Sequence, residues 1–186
     1  YFRNNVLHLF AVPALIACLV GNNRSLDVQR LTDAVVGIYG VMRSALFMRW
    51  TEAELLHEIQ HTIAVFAERG LLRRAERSGW LLAPETNSQE FPELHMIGET
   101  LRPMLGRHFL ALALLQQRGS GKLTRAVLEK DCQSLAQRLA LLHGFGEAET
   151  ADRSDFANLV SNLLDGELLV EDEEGVRELI TEWMAA

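Results

Sequence analysis

Two stretches of this chain follow one pattern. Phe66-Ala67-Glu68-Arg69-Gly70-Leu71-Leu72 and Leu163-Leu164-Asp165-Gly166-Glu167-Leu168-Leu169 each close a helical apolar period near a glycine and run into two leucines. Each then passes through a charged turn to a second glycine, Gly79 or Gly175. Each also follows a longer helical segment and a break, which gives helix, helix, hairpin: the order of a winged-helix unit. Helix–glycine–strand punctuation also recurs by chance, so the pattern alone does not separate duplication from coincidence. It does predict a mainly α-helical fold with two short β-hairpins, as two winged-helix-like halves. The expected halves are 1–118 and 119–186, divided at Gly119-Ser120-Gly121, which reads as a linker.

The local signals fill in this outline. Val6 to Val20 is apolar except for His8 and Pro13. A spanning helix needs about 20 such residues. The lone Arg3 ahead of this stretch and the Cys18-Leu19-Val20-Gly21 sequence make a poor signal peptide. A buried helix is expected, kinked or restarted at Pro13 and ended by Gly21-Asn22-Asn23. Asp27 is placed to cap a helix with Val28, Leu31, Val35, Ile38, Tyr39, Met42 and Leu46 on its inner face. Thr51 and Glu54 form a capping box before a stripe of Leu56, Ile59, Ile63 and Phe66, stopped by Gly70. A hairpin follows over 71–82, turning at Ser78-Gly79.

In the second part a long helix is expected over 91–117, begun at Pro92 and bent or split at Pro103 and Gly106. Another runs over 124–142, with Leu128, Cys132, Leu135, Leu139 and Leu142 inward. Ser154 is expected to cap a third, stopped by Gly166. Leu168 to Val176 reads as a second hairpin, and the last ten residues as a helix.

Charge narrows function. The net charge is −7. Residues 1–93 carry nine Lys/Arg against ten Asp/Glu, and residues 94–186 nine against fifteen. An acidic chain repels phosphate backbones, so no nucleic-acid partner is expected even from winged units. Cys18 and Cys132 are far apart and lie in no CxxC, so they read as buried free thiols.

Three motifs invite chemistry. Gly119-Ser120-Gly121-Lys122 resembles a phosphate loop only faintly, because position 116 is Gln and Leu follows the Lys. His57-Glu58-Ile59-Gln60-His61 matches the HExxH pattern, in which two imidazoles one turn apart hold zinc. The fixed downstream third ligand of metzincins is missing over 64–70; a distant Glu90 or Glu93 could serve instead, but a surface His pair is the simpler reading. No metal and no cofactor is expected. None of the six His residues is followed by Asp five positions later.

The opening Tyr1-Phe2-Arg3-Asn4-Asn5-Val6-Leu7-His8, with the apolar residues after it, resembles the C-terminal region of bacterial membrane-bound glycerol-3-phosphate acyltransferases. That resemblance implies an accessory domain at the end of a larger enzyme. The enzyme moves an acyl group from acyl-carrier protein or coenzyme A to glycerol 3-phosphate, at the cytoplasmic face of the inner membrane. The family's catalytic His-x-x-x-x-Asp is absent here, so the segment is expected to be inactive alone, with the catalytic domain upstream in the same chain. Arg3, Asn4 and Asn5 become candidates for the interdomain face or the substrate's phosphate; helix capping by an Asn and pairing of Arg3 with a carboxylate are the competing reading. The helix after them is expected to pack on the catalytic domain or touch lipid. The rival from another class is a noncatalytic winged-helix-like protein-interaction module.

Overall fold

The computed structural model describes residues 4–43, 50–75, 79–119, 121–143, 152–171 and 175–178. They form seven helices and five short strands, grouped into two compact units, 1–102 and 103–186. The units divide at Arg102–Pro103.

Unit 1 begins with α1 (Asn4–Asn23), which runs through Pro13 without a restart. The helix ends at Asn23, within the expected Gly21-Asn22-Asn23, and the stop is made by Arg24. Arg24 takes the left-handed conformation (φ 63°) and its N–H donates to Val20 O at 2.9 Å, a single left-handed cap. Ser25–Asp27 form β1, and Asp27 caps α2 (Val28–Met42), accepting from the N–H groups of Gln29 and Arg30. Leu46 of the expected stripe lies outside the described residues.

The capping box opens α3 (Glu52–Glu68): Thr51 N donates to Glu54 at 2.8 Å, and Glu54 N returns to Thr51 at 3.4 Å. The buried stripe of α3 is Leu55, Ile59, Thr62, Ile63 and Phe66. Leu56, expected inside, is 39% exposed; four residues before Ile59 is Leu55, and one residue turns the side chain by about 100° around the helix.

Gly70 (φ 75°) closes α3 in a Schellman arrangement, with Leu71 N donating to Phe66 O and Gly70 N to Ala67 O. The strands β2 (Arg73–Arg74) and β3 (Trp80–Leu82) pair antiparallel, as the hairpin reading expects. β1 then pairs with the other edge of β3, Leu26 opposite Leu81, so the sheet order is β1-β3-β2. Helix, strand, helix, helix and hairpin, with the first strand beside the last, is winged-helix topology. Sequence reading missed β1, since three residues carry no usable alternation.

The helical stretch expected over 91–117 is split, as expected near Pro103, into two helices. These are α4 (Glu90–Glu99) and α5 (Arg102–Arg118), parted at Thr100–Leu101. Pro103 has no N–H to donate to Glu99 O, so the ladder breaks there. Unit 1 closes with α4 against α1. Its core is Ala11, Ala14, Leu15, Ile16, Leu31, Ile59, Leu72, Leu81 and Leu94, all essentially inaccessible.

Unit 2 holds most of α5, then α6 (Arg125–His143), α7 (Arg153–Asp165), β4 (Leu169–Glu171) and β5 (Val176–Glu178), the strands antiparallel. The stretch read as a linker is docked: Gly121 N donates to Val176 O, and Val176 N to Leu123 O, both at 2.8 Å. The segment before α6 therefore joins the last strand of unit 2, as the segment before α2 joins the last strand of unit 1. Gly175 makes that contact sterically feasible, since a Cβ there would lie 2.6 Å from Leu123 O.

Other details of unit 2 correct the sequence reading. Asp152, not Ser154, caps α7. Its left-handed stop is Glu167 (φ 56°), one residue past Gly166. Leu128 and Cys132 are buried, but Leu142 is 74% exposed, because α6 (19 residues) outruns its partner α7 (13 residues). The expected final helix lies outside the described residues.

Candidate functional site

Two of the three candidate residues lie at the start of α1. Asn4 and Asn5 form its first turn, and Arg3 lies outside the described residues. Their position depends on how firmly α1 is held. α4 fixes it most closely: a Cβ on Gly98 would lie 3.1 Å from Cys18 N and 3.2 Å from its Cα, so any larger residue would push the two helices apart. Arg24 adds a second tie. Its guanidinium donates to Pro84 O at 3.0 Å and lies 5.2 Å over the Phe91 ring, while its carbonyl accepts from Ala83 N. Sequence reading missed Arg24; the polar run Asn22-Asn23-Arg24-Ser25 after an apolar helix was the available signal. Asn4 and Asn5 thus lie at the upstream end of a helix clamped at its other end.

The competing motifs are not assembled for chemistry. His57 and His61 are exposed on α3, and no third potential ligand joins them among the described residues. Around the supposed phosphate loop, the N–H groups of Gly119, Gly121 and Lys122 donate to Leu115 O, Val176 O and Gly119 O. Amides committed to internal carbonyls cannot cradle phosphate. Between α3 and the first hairpin lies an open groove of about 340 Å³, lined by Val28, Gln60, Ile63, Arg74, Trp80 and Leu81 among others.

Two buried titratable groups belong to the core. Burial pushes the Cys132 thiol up to about 12, with the carboxylates of Asp131 and Glu129 adding to it. Burial holds His108 below its usual range, against the opposing hydrogen bond between Nδ1 and Met104 O at 2.9 Å. Its Nε2 has no partner among the described residues, consistent with a neutral ring. Cys18 and Cys132 are both free thiols, Cys132 fully buried and Cys18 partly so. Among the described residues no helix is long and apolar enough to cross a membrane.

Fold and sites define a helical module of winged-helix type, with no metal-ligand cluster among its described residues and no His-x-x-x-x-Asp in its sequence. Comparison with known proteins then places it. The family model described as the glycerol-3-phosphate acyltransferase C-terminal region matches residues 1–172, and the chain belongs to that family. It is 36% identical over 175 residues to the glycerol-3-phosphate acyltransferase of Pseudomonas paraeruginosa. It is 35% identical to that of Pseudomonas syringae pv. tomato and 34% to that of Pseudomonas fluorescens over the same length. Each match covers 94% of this chain and 21% of the relative, so the chain spans about a fifth of the proteins it matches.

Proposed function

We propose that this chain is the accessory C-terminal domain of a glycerol-3-phosphate 1-O-acyltransferase. In this reading the enzyme takes an acyl group from acyl-carrier protein or acyl-coenzyme A and esterifies glycerol 3-phosphate at the cytoplasmic face of the bacterial inner membrane. The observation that carries it is the family match over residues 1–172 to relatives of which this chain covers only 21%. The chemistry belongs to the remainder. There a His-x-x-x-x-Asp motif would supply the base that takes the hydroxyl proton as the oxygen attacks the acyl carbonyl. Arg3, Asn4 and Asn5 face that catalytic portion and brace the pocket for the substrate's phosphate, a guanidinium being suited to bidentate phosphate contact. In the full-length enzyme, Arg3→Ala should raise the KM for glycerol 3-phosphate about tenfold or more, given the usual strength of a charge-assisted bond. An unchanged KM removes the pocket role and leaves the capping and ion-pair reading.

The winged-helix topology of unit 1 favours one second reading, a noncatalytic module that binds a protein partner. A full-length product that transfers no acyl group would make it the leading one.

A further inference from the structure

Resting on the reading just proposed, we infer that Leu9 and Phe10 dock α1 onto the catalytic portion of the same polypeptide. From Ala11 onward α1 is consumed by its own unit: Ala11, Val12, Ala14, Leu15, Ile16, Ala17 and Val20 are each at most 2% exposed. α4, α2, α3 and β1 pack around it. That segment is therefore available neither to lipid nor to another domain. Just upstream the exposure changes abruptly, to 55% at Leu9 and 51% at Phe10. Two adjacent large apolar side chains thus stand in water where the buried segment of α1 begins, on its upstream side.

Two observations choose the occupant. The chain covers only 21% of relatives whose matching part is described as a C-terminal region, which leaves the rest of such a protein on the upstream side. Leu9 and Phe10 lie at that end of α1, so a covalent tether holds the partner at an effective concentration of roughly millimolar, and a small apolar contact suffices. A membrane surface fits less well. An interfacial helix sets Lys and Arg on one face and apolar side chains on the other. α1 carries no Lys, Arg, Asp or Glu between Asn4 and Asn23, and most of its side chains from Ala11 to Val20 are buried.

The test replaces Phe10 with photoreactive benzoylphenylalanine in the full-length, membrane-embedded protein, followed by irradiation and peptide mass mapping. Docking predicts cross-links from position 10 to peptides upstream of Tyr1 in the same polypeptide. A phospholipid adduct, a cross-link to another protein or no cross-link each overturns the inference. A second readout is tryptic cleavage after Arg3. Phe10→Asp should speed it several-fold in the full-length protein, and an unchanged rate counts against docking. Neither readout uses catalysis, so loss of the docking inference and loss of the acyltransferase reading are separate results.

Discussion

Gly98 on α4 meets the backbone of Cys18 on α1 so closely that a Cβ would sit 3.1 Å from the Cys18 nitrogen. The obstacle is backbone, which cannot swing aside as a side chain does. Gly98→Ala should therefore cost about 1–3 kcal/mol, the range for overpacking. Gly106, helical in α5 with nothing within 4 Å of its Cβ position, is the control. Gly106→Ala should gain roughly 0.5–1 kcal/mol from helix propensity. Urea denaturation of the two variants checks the opposite signs.

Gly70 and Glu167 hold the same place in their units. Each sits left-handed at a helix end, φ 75° and 56°, and each is followed by a leucine whose N–H returns to the helix, Leu71 to Phe66 and Leu168 to Leu163. An L-residue pays roughly 1–2 kcal/mol there. Gly70→Ala should then destabilise by about 1 kcal/mol and Glu167→Gly should be neutral or stabilising by up to about 1 kcal/mol. Gly166, at φ −84°, should accept Ala at little cost. Thermal melts of the three variants rank them.

That pair shows what the sequence exposes and what it hides. The register of the two similar stretches, Phe66 over Leu163 and Gly70 over Glu167, was readable because helix ends and leucine pairs leave a strong local imprint. Which residue turns left-handed in the second stretch was not, since a glycine beside the site drew the assignment away from Glu167. β1 and the docked Gly121–Leu123 segment depend on partners more than fifty residues away, and no local period reports them. Leu142 looked inward because α6 keeps its apolar spacing past the end of α7. Near the candidate residues, the helix that follows Asn4 and Asn5 was legible from its apolar run; the tie through Arg24 was not, because the polar run that ends α1 does not say which residue turns left-handed.

Arg125 joins α6 to α7. Its Nε donates to Glu129 at 2.9 Å and its Nη2 to Ser161 Oγ at 2.6 Å. Glu129 is only 8% exposed, so removing the guanidinium strands a carboxylate among apolar side chains. Arg125→Ala should destabilise by about 1–3 kcal/mol, the cost of unpaired buried polar groups. The double variant Arg125→Ala with Glu129→Leu should recover part of that loss, and a double-mutant cycle measures the coupling.

His108 and Cys132 give opposite pH dependences. Burial lowers the His108 pKa, so the unfolded chain binds its proton more readily. Its contribution is whole above the unfolded value, about 6.5, and is lost as pH falls below it. Burial raises Cys132 to about 12. Its contribution is whole below the unfolded thiol value, about 8.5, and is lost as pH rises from there towards 12. Urea midpoints at pH 5, 7 and 9.5 should be highest at pH 7. His108→Leu should flatten the acid side alone, and Cys132→Ala the alkaline side alone.

The most direct measurement is acyl transfer from a long-chain acyl-coenzyme A to labelled glycerol 3-phosphate, run on residues 1–186 alone and on the full-length product of the same gene. An accessory domain predicts labelled lysophosphatidic acid from the full-length protein and none from residues 1–186. Product from residues 1–186 alone, or from neither protein, would contradict it.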